Sequence, residues 1–308
     1  MSIDGKYWII LNPTAGKGKA VSQIPKIENF LKSKKEKFEI ILTNGPGDAI
    51  NITRNLPLEK DDVTVAAGGD GTCNEVVNGL LARENSGPPL MGILPIGRGN
   101  DFSYTPQIPN DCIKALELLI SRNIKPLDAG FVRGGFFADG RYFINGVGIG
   151  FDTKVGFDAA NMKHVKSGFA YVLGALINIV RYDPSPVLKI KYDEHEITLP
   201  AAIVSIVNGR RMGGSFYMGP NALLDDGLLD ICALHRPKGR LRLIKLVTLY
   251  MKGTQLKEKE AVSGKGVHFH LKALEGGMAA HCDGETICYD GTELEIWCKP
   301  GALRLIGA

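Results

Sequence analysis

The apolar run Val63 to Ala67, which stops abruptly at a glycine turn, is the sequence feature that most constrains the fold. Its β-branched side chains predict a short buried strand. The strand ends at Gly68-Gly69-Asp70-Gly71, and Thr72 and Glu75 then have the spacing of a helix N-cap and its capping-box partner. The stretch therefore predicts a strand, a glycine turn and a helix in direct succession.

A glycine turn of this kind can bind an anion. Glycines allow a ligand to approach the backbone closely, and the first N–H groups of the helix, together with its dipole, favour negative charge. Phosphate suits that arrangement. Asp70 lies among these donors, and its carboxylate is better suited to hold a metal ion or a water beside the phosphates than to bind phosphate itself. The alternative is an ordinary strand–turn–helix corner without a ligand.

The same succession occurs twice more in the first half of the chain. A predicted strand at Tyr7 to Leu11 ends at Asn12-Pro13-Thr14-Ala15-Gly16, and one at Leu90 to Leu94 ends at Pro95-Ile96-Gly97-Arg98-Gly99-Asn100-Asp101. Strands that alternate with helices predict a parallel sheet sandwiched by helices. Ligands of such sheets lie outside the carboxyl ends of the strands. Three glycine-rich ends therefore favour a phosphate-bearing ligand.

The remaining elements of the first half complete this α/β pattern. A strand is predicted at Phe38 to Thr43, and helices are predicted at Asp48 to Asn55 and at about 111–121. The turns lack the GxxxxGK[ST] pattern of a Walker A loop. Lys17 and Lys19 follow the first turn, where they would either contact phosphates or merely solvate the loop.

The pattern changes after Leu127, where short strands and turns predict a mostly antiparallel β domain over roughly 128–299. Asp139-Gly140 is typical of a hairpin turn. Gly146, Gly148 and Gly150 do not have the dinucleotide-binding spacing and indicate a bend or bulge. We expect an apolar helix at Phe169 to Tyr182 and a basic amphipathic helix at Arg236 to Lys252. Either these helices belong to the core and to a solvated face, or they contact an acyl chain and an anionic membrane.

Composition narrows the class of protein. A net charge of +4 is too small to indicate nucleic acid and is compatible with anionic ligands or an anionic membrane surface. The six cysteines lack CxxC spacing, the N-terminus has no signal-peptide pattern, and no apolar run is long enough to span a bilayer. We therefore expect a cytoplasmic protein that is at most peripheral to a membrane. The sequence leaves open whether it forms a homodimer.

The ordered set of motifs resembles the diacylglycerol kinase-type catalytic domain, a superfamily that includes bacterial lipid kinases and the sphingosine and ceramide kinases. The resemblance covers essentially the whole chain, whereas the Gly-Gly-Asp-Gly turn alone also occurs in NAD kinases and phosphofructokinases. The motifs in chain order are Asn12-Pro-x-x-Gly16, Gly68-Gly-Asp-Gly-Thr-x-Asn74, Gly97-x-Gly-Asn-Asp101, Asp128-x-Gly130, Asn145-x-x-x-x-Gly150-Phe-Asp152, Asn208-Gly209, Leu223-x-Asp-Asp-Gly-Leu228, Asp283-Gly-Glu285 and Pro300-Gly-Ala-Leu-Arg-Leu305.

This resemblance implies an ATP-dependent lipid kinase with two domains. An NAD kinase-like α/β nucleotide domain would span 1–127 with 300–308 returning to it, and an antiparallel β-sandwich lipid domain would span 128–299, with the reaction in the cleft. The residues implied to bind the nucleotide are Asn12, Pro13, Thr14, Ala15, Gly16, Thr43, Gly68, Gly69, Asp70, Gly71, Thr72, Cys73, Asn74 and Arg98. The substrate would be diacylglycerol or a related long-chain alcohol, met transiently at a membrane surface.

The resemblance also implies metal sites and a general base. The main chain of Leu223 and Leu228 and the side chain of Asp226 would bind a structural Mg²⁺. Asp70, Asp101 and Asp128 would order Mg²⁺ and water around the phosphates. The turn with Asp283 and Glu285 would supply the proton acceptor for phosphoryl transfer, with the choice between the two carboxylates left open.

Two alternatives to a lipid kinase remain at this point. One is a soluble-substrate kinase of the NAD kinase type, and the other is a non-catalytic lipid-binding relative. Gly97-x-Gly-Asn-Asp101 and Asp283-Gly-Glu285 favour the lipid kinase. One residue departs from the family pattern, because Arg98 stands where threonine is usual. A longer cation there would contact phosphate directly or change the nucleotide preference.

Overall fold

The structure is a computed structural model that describes residues 5–84, 87–162 and 167–307. Residues 1–4, part of the N-terminal stretch considered above for a signal peptide, lie outside them. The helices are α1 (Lys19–Ser33), α2 (Asp48–Asn55), α3 (Asp70–Leu81), α4 (Cys112–Ser121), α5 (Phe151–Asn161), α6 (Ser167–Arg181) and α7 (Arg240–Lys252). The strands are β1 (Tyr7–Leu11), β2 (Phe38–Leu42), β3 (Val63–Gly68), β4 (Leu90–Pro95), β5 (Ile124–Gly134), β6 (Phe137–Phe143), β7 (Gly146–Gly150), β8 (Val187–Tyr192), β9 (His195–Val207), β10 (Leu229–His235), β11 (Ala261–Gly266), β12 (His268–Glu275), β13 (Met278–Cys282), β14 (Glu285–Gly291) and β15 (Glu293–Ile306).

The chain divides into two compact units. The first unit contains Met1–Asp128 and Gly301–Ala308, and the second unit contains Ala129–Pro300. The second unit is therefore inserted in the sequence of the first. Among the described residues, no helix has both the length and the apolar content needed to cross a bilayer.

A parallel sheet forms the centre of the first unit, as predicted. Its strand order is β2-β1-β3-β4, and the end of β15 pairs with β4, also in parallel. Every residue of β1, β3 and β4 is buried, which is expected where helices cover both faces of a sheet. In the register, Leu11 lies opposite Ala67 and Gly68 lies opposite Pro95, so these strands end at one edge.

The N-terminus of α3 differs from the prediction. The helix begins at Asp70 after an extended Gly69, so Thr72 lies inside the first turn and the capping-box interpretation is wrong. Thr72 instead packs against Gly68, where an added Cβ would lie 2.3 Å from its hydroxyl oxygen. The carboxylate of Glu75 accepts hydrogen bonds from the N–H groups of Gly47 and Ala49, at the start of α2. Glu75 therefore caps the neighbouring helix and not its own.

The second unit is built from antiparallel strands around its own core, as predicted. The long strand β9 takes part in two sheets: its first half pairs with β8, and its second half pairs with β7 and β10. The sheets continue from β8 to β12 and from β7 through β13 to β14. Apolar side chains from these strands form one buried cluster that includes Val204, Ile206, Phe269 and Leu271.

Two local predictions in the second unit are wrong. The hairpin between β5 and β6 turns at Gly135-Phe136 and not at Asp139-Gly140, because Gly134 pairs with Phe137. Gly134 and Gly135 both have positive φ, which suits them to the turn. Gly146 to Gly150 forms the regular strand β7 without a bulge, and the helix α5 follows it directly.

Candidate functional site

Three loops at the carboxyl edge of the parallel sheet contact one another. The N–H groups of Ile96 and Gly97 donate to the carbonyl oxygen of Gly68 over 2.8 and 3.0 Å. A Cβ on Gly97 would lie 2.3 Å from the Cα of Gly69, and one on Gly16 would lie 2.7 Å from the carbonyl oxygen of Ile96. Such distances exclude a side chain at both positions. The glycines in these loops therefore permit the loops to pack backbone against backbone.

Asn12 joins the first of these loops to the second. Its Oδ1 accepts hydrogen bonds from the N–H of Thr14 and, over 2.8 Å, from the hydroxyl of Thr14. Its Nδ2 donates to the hydroxyl oxygen of Thr72 over 3.2 Å. The side chain of Asn12 thus shapes its own turn and also fixes that turn against α3.

The helix N-termini at this edge can bind an anion. α1 begins after Gly18 and α3 after Gly69, and within the described part of the chain no side chain caps either end. The first N–H groups of a helix have no partner inside the helix, and the helix dipole attracts negative charge to them. Lys17, Lys19 and Arg98 are exposed on the adjoining loops. The edge therefore offers both N–H donors and cationic side chains to phosphate groups.

Asp70 links the second loop to the third. Its Oδ1 accepts a hydrogen bond from the N–H of Phe102 over 3.2 Å. Its Oδ2 lies near Gly99, where an added Cβ would be only 2.9 Å away, and Asp101 is close to the same point. These carboxylates lie beside the N–H groups of the glycine loops. Their function in ordering a metal ion or water stays a prediction.

The other residues implied for the nucleotide lie at the same edge or just beneath it. Thr43 is buried at the end of β2, where its N–H donates to the carbonyl oxygen of Leu11. The side chains of Cys73 and Asn74 are buried within α3, so only their backbone could face a ligand. Asp128 is buried as well, and its Oδ1 accepts a hydrogen bond of 2.6 Å from the N–H of Gly301. That bond attaches the returning end of β15 to the first unit.

The turn between β13 and β14 carries the two acids implied as the general base. Asp283 and Gly284 both have positive φ, as a two-residue type I′ hairpin requires. The carboxylate of Asp283 is buried and accepts hydrogen bonds from the N–H groups of Ile144, Asn145 and Gly146, at 3.0, 3.1 and 2.9 Å. Glu285 is exposed. Asp283 thus organises the backbone between β6 and β7, while Glu285 is open to a ligand.

Asn208 and Gly209 hold the segment that Asp283 contacts. The carbonyl oxygen of Asn145 accepts the N–H groups of Asn208 and Gly209, and Nδ2 of Asn208 donates to the carbonyl oxygen of Ile144 over 3.2 Å. A Cβ on Gly209 would lie 2.0 Å from Oδ1 of Asn145. The segment that Asp283 holds is therefore fixed from two sides.

The sequence did not reveal a partly buried acid–histidine pair close to this turn. Oδ2 of Asp152, at the start of α5, lies 3.7 Å from Nε2 of His281 on β13. Among the described residues, neither carboxylate oxygen of Asp152 has a hydrogen-bond partner. Gly148 makes room for both side chains, because an added Cβ would lie 2.1 Å from Oδ2 of Asp152. Asp152 and His281 are far apart in sequence, so no local motif predicts that they lie together.

The turn implied to bind a structural Mg²⁺ already contains a cation. Oδ1 of Asp226 accepts the N–H of Leu228 over 3.2 Å, and its Oδ2 accepts a hydrogen bond from Nζ of Lys265 over 2.6 Å. Nζ of Lys265 also lies 3.3 Å from Oδ2 of Asp230. A metal ion would need the Asp226 oxygen that the ammonium group occupies. The residues present therefore do not fit the implied metal ion.

Family models match nearly the whole chain. Residues 6–132 match the model described as the diacylglycerol kinase catalytic domain. Residues 145–307 match the model described as the YegS C-terminal NAD kinase beta sandwich-like domain. Their order agrees with that of the two units.

Relatives and a solved structure point the same way. A protein named diacylglycerol kinase from Bacillus subtilis (strain 168) is 30% identical over 283 residues, which cover 90% of this chain and 88% of that protein. One of the same name from Staphylococcus aureus (strain bovine RF122 / ET3-1) is 30% identical over 280 residues, covering 90% of this chain and 85% of that protein. A crystal structure described as a diacylglycerol kinase from Bacillus anthracis str. Sterne superposes with a TM-score of 0.74 at 25% identity, covering 99% of this chain and 97% of that one. From these similarities we conclude that the chain belongs to the diacylglycerol kinase family.

Proposed function

We propose that this protein is an ATP-dependent lipid kinase that transfers the γ-phosphate of ATP to the hydroxyl group of a lipid, most simply diacylglycerol, to give phosphatidate. The observation that carries the proposal is the convergence of the 12–16, 68–72 and 96–101 loops beside two helix N-termini, in a member of this kinase family. Donors that converge on one edge of a sheet suit a polyphosphate.

ATP binds, in this proposal, along the three loops of the first unit. Phosphoryl transfer requires a positioned γ-phosphate and neutralisation of its charge. The first N–H groups of α1 and α3 bind phosphate oxygens, and Lys17 and Arg98 supply positive charge from the exposed loop positions. Asp70 and Asp101 would order water around the Mg²⁺ that accompanies ATP as part of the substrate.

The hydroxyl of the lipid loses its proton to a carboxylate of the turn between β13 and β14. Glu285 is exposed and can reach a ligand, whereas the carboxylate of Asp283 already accepts three backbone hydrogen bonds. We assign proton transfer to this turn as a whole. Substitution of Asp283 and of Glu285, one at a time, distinguishes the acid that accepts the proton from the acid that holds the backbone of the turn.

The second unit binds the lipid. An open pocket lies beside α5, α6 and α7, and its lining includes Phe151, Pro184, Pro186, Ala202 and Leu243. Lys154 and Arg236 also line this pocket. Asp183 lines it too and pairs with Lys154 over 3.3 Å. Apolar walls with a few charged groups suit an acyl chain whose polar end remains near solvent.

An exposed apolar surface lies on α6 and α7, next to this pocket. Its partner in this proposal is an anionic lipid bilayer. Phe169, Val172, Leu176 and Val180 recur at helical spacing on α6 and are exposed, Val180 to 69%. Leu241, the second residue of α7, is 85% exposed, and the two helices are joined by a hydrogen bond from Nε of Arg240 to the carbonyl oxygen of Val180. We call these five side chains the α6–α7 apolar surface.

Positive charge beside the α6–α7 apolar surface favours an anionic partner over a neutral one. Lys238 and Arg240 are exposed next to Leu241. Basic side chains next to exposed apolar ones are the combination that binds amphipathic helices to anionic membrane surfaces. The kinase would thus meet its water-insoluble substrate at the bilayer, as a peripheral protein.

The test is ATP consumption by the purified protein with diacylglycerol, ceramide, sphingosine and other long-chain alcohols in mixed micelles, with NAD as the soluble comparison. We expect turnover with at least one lipid and none with NAD. Turnover of NAD alone would support the soluble-substrate kinase instead. Absence of turnover with every compound, while ATP still binds, would support a non-catalytic lipid-binding protein.

A further inference from the structure

The turn that precedes β10 and the first residues of that strand place two carboxylates close to one ammonium group. Nζ of Lys265 lies 2.6 Å from Oδ2 of Asp226 and 3.3 Å from Oδ2 of Asp230. Oδ1 of Asp226 is engaged by the N–H of Leu228 within the same turn. Both oxygens of Asp226 therefore have partners inside the protein.

Strand register places Lys265 at this position. In the antiparallel pair of β10 and β11, Asp230 lies directly opposite Lys265. Directly opposed residues of an antiparallel pair have neighbouring side chains, and opposite charges there attract. The backbone pairing of β11 with β10 thus places the lysine beside the turn.

The three side chains are partly withdrawn from water. Their side chains are 34% exposed for Lys265, 21% for Asp226 and 14% for Asp230. Without a cation the two carboxylates would repel each other.

We infer that the ammonium group of Lys265 takes the place of the structural Mg²⁺ in this protein, so that the fold of the Leu223–Leu228 turn does not depend on a divalent cation. The ammonium group donates to the carboxylate that would otherwise ligate the metal ion and neutralises the same charge. The inference concerns the stability of the second unit and is independent of the substrate of the kinase.

Thermal unfolding of the full chain without nucleotide tests the inference. The protein is heated in EDTA and in about 5 mM MgCl₂ at matched ionic strength, a concentration above the dissociation constants of weak carboxylate sites. We expect the unfolding midpoint of the wild-type protein to be the same in both. Lys265→Met should lower the midpoint in EDTA by about 2–5 °C, and Mg²⁺ should restore at least half of that loss.

Three further variants identify the site of the effect. Lys265→Arg keeps the positive charge and should be insensitive to Mg²⁺, like the wild-type protein. The double variant Asp226→Asn with Lys265→Met lacks the carboxylate ligand and should not be restored by Mg²⁺. Lys272→Met, which removes an exposed lysine of β12, is the matched control and should leave the Mg²⁺ response unchanged.

Two results would overturn the inference. One is a wild-type midpoint that falls in EDTA and recovers with Mg²⁺, because a metal ion would then bind despite the lysine. The other is a Lys265→Met variant whose midpoint shows no response to Mg²⁺, because the ammonium group would then not occupy a cation site.

Discussion

Oε1 of Glu75 accepts a hydrogen bond of 2.8 Å from the backbone N–H of Gly47, and so a side chain of α3 caps the first turn of α2. The second carboxylate oxygen accepts the N–H of Ala49 over 3.1 Å. Both helices follow strands of the parallel sheet, so this pair of bonds fixes their relative position.

Loss of this cap should destabilise the first unit. An acidic acceptor at a helix N-terminus typically contributes about 1 kcal/mol. We expect Glu75→Ala to lower the unfolding midpoint by about 2–4 °C, measured by circular dichroism. Glu117→Ala, which removes an exposed glutamate of α4, is the control and should change the midpoint little. Equal midpoints for the two variants would show that the cap is energetically unimportant.

Gly97→Ala should damage the nucleotide loops. Its Cβ would lie 2.3 Å from the Cα of Gly69, so the loops after β3 and β4 would have to separate. Overpacking of this kind costs about 1–3 kcal/mol, and we expect weaker ATP binding together with a lower unfolding midpoint. Gly45→Ala is the matched control, because no atom lies within 4 Å of its added Cβ. Calorimetric titration of ATP into both variants checks the expectation, which unchanged binding by Gly97→Ala would contradict.

Substitutions at the turn between β13 and β14 should separate structure from catalysis. Asp283→Asn removes charge from a group that accepts three backbone hydrogen bonds, so we expect a lower unfolding midpoint as well as lost activity. Glu285→Gln should leave the midpoint unchanged and reduce kcat by at least about a hundredfold, if Glu285 accepts the proton.

The measurements for these two variants are thermal unfolding, ATP binding and steady-state kinetics in lipid micelles. If Glu285→Gln retains wild-type kcat while Asp283→Asn loses activity with ATP binding intact, Asp283 is the proton acceptor. Less than about tenfold loss of rate in both variants would place the general base outside this turn.

Membrane binding should depend on the α6–α7 apolar surface. We expect Leu241→Asp, and separately Lys238→Glu, to weaken co-sedimentation with vesicles that contain an anionic phospholipid, because the first loses apolar contact and the second reverses charge. Lys272→Glu makes the same charge change on β12 and is the control. Binding of Leu241→Asp at the wild-type level would remove this surface from the proposal.

Arg242 belongs to the fold and is unsuited to a test of membrane binding, although it lies in the same basic helix. It donates to Oε2 of Glu258 over 2.5 Å and to Oε2 of Glu260 over 2.6 Å. Hydrogen bonding to Arg242 lowers the pKa of Glu260 from 4.5 to about 2. Because the pKa is lower in the folded protein, the stability from this pair is fully present above about pH 4.5 and is lost as the pH falls towards 2.

Glu260→Gln should therefore change the dependence of stability on pH. We expect its unfolding midpoint to lie about 1–3 °C below that of the wild-type protein at pH 6. The two midpoints should converge as the pH falls below about 2, since Glu260 then becomes protonated in both states of the wild-type protein. A constant difference across this range of pH would contradict an electrostatic origin. Glu117→Gln, on the exposed face of α4, controls for the loss of a charge.

The sequence was most informative about the first unit, for a physical reason. Strands of a parallel sheet covered on both faces are continuous apolar runs, so β1, β3 and β4 are visible as Tyr7–Leu11, Val63–Gly68 and Leu90–Pro95. Glycine turns mark their ends. The helix α5 was missed, because Gly156 and the preceding glycines lower the helical signal of Phe151–Asn161.

Other features depend on contacts that a local pattern does not contain. Asp139-Gly140 is a strong hairpin dipeptide, yet Gly140 lies within β6. It packs against Phe131 of β5 there, since an added Cβ would be 1.9 Å from the ring of Phe131. The position of Lys265 beside Asp226 follows from the register of β10 and β11. Glu75 has the right spacing for a capping box, but the packing of α2 against α3 supplies it with other donors.

The parallel pairing of the end of β15 with β4 has a consequence for biosynthesis. The outer edge of β4 pairs with Arg304 and Leu305, which the ribosome adds only after all of the second unit. Until then the nascent first unit carries an uncovered strand edge, which is a template for pairing with another chain. The second unit therefore leaves the ribosome, and has time to fold, before the end of β15 can cover β4 in the sheet of the first unit.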